Sequence, residues 1–333
     1  MQVEEFRYEL PDAAIAQHPV EPRDSARLLD TRDGSDHRFA DLAARLEPGD
    51  LVVVNTTRVR HARLVGRRSE TGGRIELLLL TRRQTGGWSA LAAPARRLRP
   101  GVALEFGPLT AIVTDGPVDG IVGVEFDDEA LLDSVGTVPL PPYITEELAD
   151  PGRYQTIFAD HPGSAAAPTA GLHFTQRVLD RLAIRGIDLA TVELDVGIGT
   201  FRPITADHIS DHVMHRERCS IPQTTTDAIA AARARSGRVV AIGTTTVRTL
   251  ETFGQEDGTV VTGETETDLF LQPGSTFRVV DVLVTNFHVP GSSLLVMLAA
   301  FMGEGWRDAY ATALDRGYRF LSFGDAMLAE RRR

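Results

Sequence analysis

The stretch Pro168-Thr169-Ala170-Gly171-Leu172-His173-Phe174-Thr175 decides how this chain is read. After it, Val178, Leu179 and Leu182 recur at helical spacing, Thr175 is a suitable N-cap, and Gly186 closes the run. A helix is therefore expected from Thr175, with Gly171, Leu172 and His173 in the loop ahead of it. Unpaired N–H groups and the helix dipole favour an anionic or electron-rich ligand there. Gly171 lets a ligand approach the backbone, and an imidazole at position 173 moves protons near neutral pH. A structural histidine in a tight turn fits the same residues, so the motif alone leaves both readings open.

Toward the C-terminus, strands and helices alternate. Asp188 to Val196 reads as a strand, Thr224 to Ser236 as an Ala-rich helix, and Val239 to Ile242 as a strand. Thr246 to Phe253 reads as a helix, Val279 to Thr285 as a strand, and Ser292 to Met302 as an apolar helix. The alternation predicts a sheet covered by helices. Toward the N-terminus, residues 1–57 are mixed, with a helix over Asp41 to Leu46 and a buried strand at Leu51-Val52-Val53-Val54. Between them the texture changes. Short runs at Ile75–Leu80, Trp88–Ala92, Val102–Phe106, Thr110–Thr114 and Ile121–Phe126 are punctuated by Gly and Pro, as in a small barrel or sandwich. The expected fold is α/β: a large mixed α/β layered domain over 1–59 and 146–333, with an inserted small β-barrel domain over 60–145.

The 333 residues suffice for a large core. No apolar run reaches the roughly 18 residues of a membrane span, and a single cysteine, Cys219, fits a reducing compartment. A cytoplasmic protein is expected. All 35 basic residues are Arg, which excludes Schiff-base chemistry on a lysine. Eleven of them fall between Arg58 and Arg99 against two acids, a formal +9 within a chain of −11. Such a basic module on an acidic body suits local phosphate binding, and a solvated Arg-rich surface fits equally.

Further polar groups fall at the ends of the expected strands. Glu193 and Asp195 share one face of the strand entering Gly197-Ile198-Gly199-Thr200, placed to hold a ribose or do acid/base work. Gly197 and Gly199 are not part of a dinucleotide fingerprint, because Arg202 stands at the third glycine position and Pro203 follows. Arg202 is better read as a carboxylate or phosphate clamp. Gly243-Thr244-Thr245-Thr246 joins a strand to a helix and suits a carboxylate or phosphate, with Arg248 nearby; helix capping by Thr satisfies the same residues. Asn286 and His288 form another polar loop after a buried strand. His208, Asp211, His212 and His215 have the spacing of one helix face, as in a zinc site, although solvated or RNA-facing histidines fit better.

The opening octapeptide resembles the signature of the S-adenosylmethionine:tRNA ribosyltransferase-isomerases of queuosine biosynthesis. So do Pro19 to Leu29, Pro139 to Ile144, Arg153-Tyr154-Gln155-Thr156, Gly197 to Pro203, Gly243 to Glu251, Thr285-Asn286-Phe287-His288 and Gly324 to Leu328. The blocks are collinear over nearly the whole chain. The resemblance implies a β-barrel inserted in an α/β domain and S-adenosylmethionine as ribosyl donor, with no metal. It implies a tRNA anticodon stem-loop as partner and a reaction at the wobble 7-aminomethyl-7-deazaguanine that yields epoxyqueuosine, adenine and methionine. It points to His173 as the catalytic group. Thr169, Gly171, Glu193, Asp195, Gly197, Gly199, Thr200, Arg202, Thr244, Arg248, Asn286 and His288 then bind substrate, and Arg58, Arg96 and Arg97 the tRNA. A monomer is expected. The chain departs from the family pattern at Thr56 (usually an acid), His61 (proline), Ala95 (lysine), Asp195 (histidine) and Gly291 (lysine). These departures leave two alternatives open, a free deazapurine acceptor and a non-catalytic RNA-binding module.

Overall fold

The computed structural model describes residues 1–83, 86–197 and 204–332. The chain divides into two compact units. One comprises Met1–Arg58, Pro141–His161 and Ala167–Arg333; the other comprises Val59–Leu140 and Pro162–Ala166.

Among the described residues of the first unit, nine strands form one mixed sheet. Their order is Gly263–Thr267, Glu217–Ile221, Asp188–Leu194, Leu51–Asn55, Val239–Ile242, Val282–Asn286, Ala326–Glu330, Arg27–Asp30 and Ser35–Arg38. The centre is parallel. Leu51–Asn55 lies between Asp188–Leu194 and Val239–Ile242, and the latter pairs with Val282–Asn286. Three of these strands are buried along their whole length, as expected of parallel strands covered on both faces. Asp188–Leu194 instead alternates, burying Ala190, Val192 and Leu194 while Thr191 and Glu193 stay half-buried. The helix Gln176–Ile184 starts where the sequence places it, with Thr175 as N-cap. It buries Val178 and Leu182 with Phe39, Leu42, Phe174, Val240 and Val284.

Six strands of the second unit close into a barrel: Ile121–Phe126, Trp88–Ala93, Arg74–Arg82, Arg63–Arg68, Ala103–Phe106 and Leu109–Val118. Five match runs legible in the sequence. Arg63–Arg68 is disguised by its arginines and buries only Leu64. At Gly66 an added Cβ would lie 2.1 Å from the Glu105 carbonyl oxygen, so glycine allows the neighbouring strand to close in.

The residues His208, Asp211, His212 and His215 do not share a helix face. A single 3-10 turn, Ile209–Asp211, passes into extended backbone at His212. The segment is held to the start of the chain instead: Val3 N–H donates to the Asp207 carbonyl and Ile209 N–H to the Met1 carbonyl. His212 packs edge-on against Phe270. Among the described residues, no three His, Cys, Asp or Glu side chains are grouped to hold a metal ion. Nor is any described helix long and apolar enough to cross a membrane.

Candidate functional site

Because the central strands run parallel, their carboxyl ends lie along one edge, where open α/β sheets hold ligands. Asp195 and Gly197 follow the first of these strands, Asn55 ends the second, Gly243 and Thr244 follow the third, and Asn286 ends the fourth. Asn55 ties three of them together. Its Oδ1 accepts from the Leu194 and Thr57 N–H groups at 3.2 and 3.0 Å, and its Nδ2 donates to the Leu194 carbonyl at 3.0 Å and Thr245 Oγ1 at 3.3 Å. Gly199, Thr200 and Arg202 lie outside the described residues.

The octapeptide folds as a 3-10 turn, Thr169–His173, with Ala170, Gly171, Leu172 and His173 buried. The neighbour of the Gly171 backbone is Thr156, whose Cγ2 would stand 3.0 Å from an added Cβ. The anion favoured at the following helix N-terminus is supplied by the protein itself. Buried Asp24 accepts from Thr175 Oγ1 at 2.7 Å and from Arg177 Nε and Nη2 at 2.9 and 2.6 Å. Burial works to raise the Asp24 pKa, but the hydrogen bonds from Arg177 and Thr175 outweigh it and hold the carboxyl below its ordinary value.

His173 and Asn286 do meet. Asn286 Nδ2 donates to the Leu321 carbonyl at 3.1 Å, and a carbonyl can only accept, so the amide orientation is set. The same nitrogen lies 3.3 Å from His173 Nε2, which places the lone pair on Nε2 and the proton on Nδ1. Thr169 Oγ1 donates to Asn286 Oδ1 at 3.0 Å. Phe39 packs on the imidazole at 4.9 Å. Burial foremost, then the charge of Arg319, pushes the His173 pKa down to about 3 from 6.5, so the ring is neutral at physiological pH.

His288 is likewise pushed down to about 3 by burial. Thr285 Oγ1 lies 3.1 Å from its Nε2, its N–H donates to Tyr310 Oη at 2.8 Å, and its carbonyl accepts from Tyr8 Oη at 2.5 Å. Both rings stay neutral in the fold while their unfolded counterparts take up protons below pH 6.5. Their contribution to stability is therefore complete above pH 6.5 and lost as the pH falls toward 3, by about 1.4 kcal/mol per pH unit for each ring. Urea midpoints measured from pH 7.5 to 5 should show this slope, and His288→Asn should remove one proton of uptake on unfolding. An unchanged uptake in that variant would mean that His288 is already protonated in the fold.

Cavities open in the first unit, one of them lined by His173. A narrow crevice of about 20 Å³ is lined by Arg23, Arg153, His173, Ser322 and Phe323. A broad cleft of about 750 Å³, of the size that holds a nucleoside-like ligand, is lined by Thr56, His161, Glu193, Ser220, Thr262 and Glu264. Arg218 bridges the carboxylates of this region, with Nε 2.7 Å from Glu264 and Nη1 3.4 Å from Glu193 and 3.6 Å from Asp195. Asp195 also accepts from Thr57 Oγ1 at 3.2 Å, and His161 Nδ1 lies 3.3 Å from Glu193.

Arg248 is engaged within the protein. It forms a buried ion pair with Glu217 and donates to the Leu269 and Thr267 carbonyls at 3.2 and 3.4 Å. Glu217 in turn accepts from the Gly197 N–H at 2.7 Å. A ligand carboxylate would have to share Arg248 with Glu217. Thr244 begins the helix Thr244–Phe253 and is buried, after Gly243 at φ +86°, a conformation that favours glycine. Between Glu217 and Arg218 on one side and Ile221 on the other, Cys219 is fully buried, and burial foremost pushes its thiol up to about 11.

In the Arg-rich region, Arg63, Arg67, Arg82 and Arg83 pair with Glu76, Glu105, Glu129 and Asp115. Arg96, Arg97 and Arg99 are exposed on a turn anchored by fully buried Leu98, and Arg58 is exposed on Thr57–Val59.

A family model described as queuosine biosynthesis protein matches residues 3–329. The chain belongs to that family. A relative named S-adenosylmethionine:tRNA ribosyltransferase-isomerase from Moorella thermoacetica is 52% identical over 340 residues, covering 98% of this chain and 99% of its own. One of the same name from Symbiobacterium thermophilum is 48% identical, with the same coverage. The crystal structure of the S-adenosylmethionine tRNA ribosyltransferase from Thermotoga maritima is 37% identical, covers 97% of this chain and 99% of its own, and superposes with a TM-score of 0.55. The mixed α/β fold with a β-barrel, expected from the sequence, is thus the fold of the queuosine biosynthesis family.

Three of the positions where this member of the queuosine biosynthesis family departs from the expected pattern, Thr56, His61 and Asp195, have local partners. Thr56 Oγ1 lies 3.3 Å from the Val192 carbonyl, and His61 Nδ1 lies 2.6 Å from that of Asp133. Asp195 faces Arg218, and Gly291 adopts φ +67°, where lysine would be strained. Sequence reading overlooked Arg23, Arg153 and Ser322. The first two stand inside recognised blocks, where an arginine beside proline or glycine was the available signal; Ser322 carried none.

Proposed function

We propose that this chain transfers and isomerises the ribosyl moiety of S-adenosylmethionine onto 7-aminomethyl-7-deazaguanine at the tRNA wobble position, releasing adenine and methionine. The observation that carries this reading is the end-to-end likeness to relatives named for that activity. The polar groups along the carboxyl edge of the parallel strands support it. The sulfonium acidifies the adjoining ribose carbon, so a neutral base can begin the sequence; adenine then leaves, the exocyclic amine attacks, and methionine departs as the epoxide closes. His173 is neutral and presents its Nε2 lone pair, which takes that proton once the Asn286 amide yields it. Glu193 and Asp195, steadied by Arg218, suit ribose hydroxyls beside the broad cleft. Thr169 orients Asn286, and Gly197 and Thr244 offer backbone at strand ends.

The test is adenine release from S-adenosylmethionine with a stem-loop carrying 7-aminomethyl-7-deazaguanine. Release with the free base alone would transfer the reading to another acceptor, and release with neither would end it. Arg58, Arg96 and Arg97 are proposed to meet tRNA phosphates. Replacing Arg96 and Arg97 by Ala should then flatten the salt dependence of stem-loop affinity by about one unit of slope per lost contact. An unchanged slope would return these arginines to a solvated surface.

A further inference from the structure

The narrow crevice beside His173 is built from unusual material for an acidic protein. Two of its walls are Arg23 and Arg153, a third is the buried Ser322, and Arg319 acts on the same imidazole. Arg23 donates to the Gln155 and Gly152 carbonyls at 2.6 and 3.3 Å, and Arg153 to the Val20 carbonyl at 2.9 Å. These neutral acceptors fix both guanidinium groups, whose charge is offset only in part, by Glu21 and Asp150. Three acids stand nearby, each committed or exposed. Glu21 pairs with Arg153 at 2.9 Å but its side chain is 71% exposed, so this pair is readily exchanged. Asp150 caps Gly152, and Asp325 accepts the backbone N–H groups of Arg27 and Arg319. Burial, and after it the charge of Arg153, lower the Arg23 pKa, with Glu21 and Asp150 acting in the opposite direction. Tyr154, next in the chain to Arg153, is fully buried and packs edge-on against the crevice residue Phe323, with its hydroxyl toward Ser322 and the Ala167 backbone.

We propose that this crevice seats a single oxyanion group of the substrate, held by Arg23, Arg153 and Ser322 beside His173. A space of about 20 Å³ is about that of one bound water, so it admits one oxygen of such a group and excludes a nucleobase. Resting on the function proposed above, the group is the α-carboxylate of the methionyl part of the donor; an acceptor phosphate has the same chemistry. The carboxylate site expected at Gly243 to Thr246 beside Arg248 thereby falls to arginines on two other segments of the same unit.

Decarboxylated S-adenosylmethionine keeps the sulfonium and loses only the carboxylate. Wild-type protein should bind S-adenosylmethionine about 10- to 100-fold more tightly than this analogue, as expected for charge-assisted hydrogen bonds. Binding is measured by equilibrium dialysis without tRNA and requires no variant. Arg153→Gln should reduce the preference to within about twofold, and Arg153→Lys should restore part of it. If wild type does not discriminate but Arg153→Gln lowers stem-loop affinity and its salt slope, the oxyanion is a phosphate. If wild type does not discriminate and the variant alters neither ligand's binding, the proposal is overturned. Dialysis separates this from the function itself: preferential binding without adenine release would remove the proposed reaction and leave the oxyanion seat standing.

Discussion

Turnover of S-adenosylmethionine should fall by about 10²- to 10⁴-fold in His173→Asn, with donor affinity nearly unchanged. Asparagine can keep a donor near the position of Nδ1, and it removes the Nε2 lone pair that faces Asn286. Because the ring pKa lies near 3 in the free protein, His173 should also contribute no acid limb to kcat/KM between pH 5 and 8. A substrate anion between Arg23 and Arg319 opposes the second cause of that depression, so any acid limb seen in kcat should lie higher than that of kcat/KM. Near-wild-type adenine release by His173→Asn, in a variant with unchanged thermal midpoint, would assign the histidine a purely structural role.

Glu217→Ala is expected to cost about 3–5 kcal/mol of stability, read from urea midpoints. Among the described residues, the substitution leaves the guanidinium of buried Arg248 with the Leu269 and Thr267 carbonyls. It also deprives the Gly197 N–H of its acceptor, just before the Gly-rich segment expected to bind substrate. Replacing both partners, Glu217→Leu with Arg248→Met, should recover much of the loss, since no buried charge then lacks its partner. A cost below about 1 kcal/mol for Glu217→Ala would show that water reaches the arginine and that the pair is not sealed as drawn.

The architecture was legible where burial dictated composition. Leu51–Asn55, Val239–Ile242 and Val282–Asn286 could be read because parallel strands covered on both faces must be nearly continuous in Val, Ile and Leu. Arg63–Arg68 was not, because its outward positions carry the charge of a surface while one leucine and one glycine carry the barrel. Ser35–Arg38 and Gly263–Thr267 escaped for a related reason: both are edge strands whose polar composition discourages further pairing. Helix Gly305–Asp315 was hidden by the glycine at its start. For the candidate site, the sequence pointed to residues at strand ends without naming their partners. That Asn286 would orient His173, while Arg248 would be claimed by Glu217, depends on strands separated by tens to hundreds of residues and could not be read locally.

Cys219 closes the sheet against a chemical probe. Its thiol is fully buried on the strand that also carries Glu217, between Asp188–Leu194 and Gly263–Thr267, and it is the chain's sole cysteine. A thiol-directed reagent therefore has one address, reached when the packing around this strand opens. The rate of single-site labelling becomes a clock for that opening. Ligands that close the strand-end edge should slow it, which makes the protein its own sensor of occupancy without any introduced dye position.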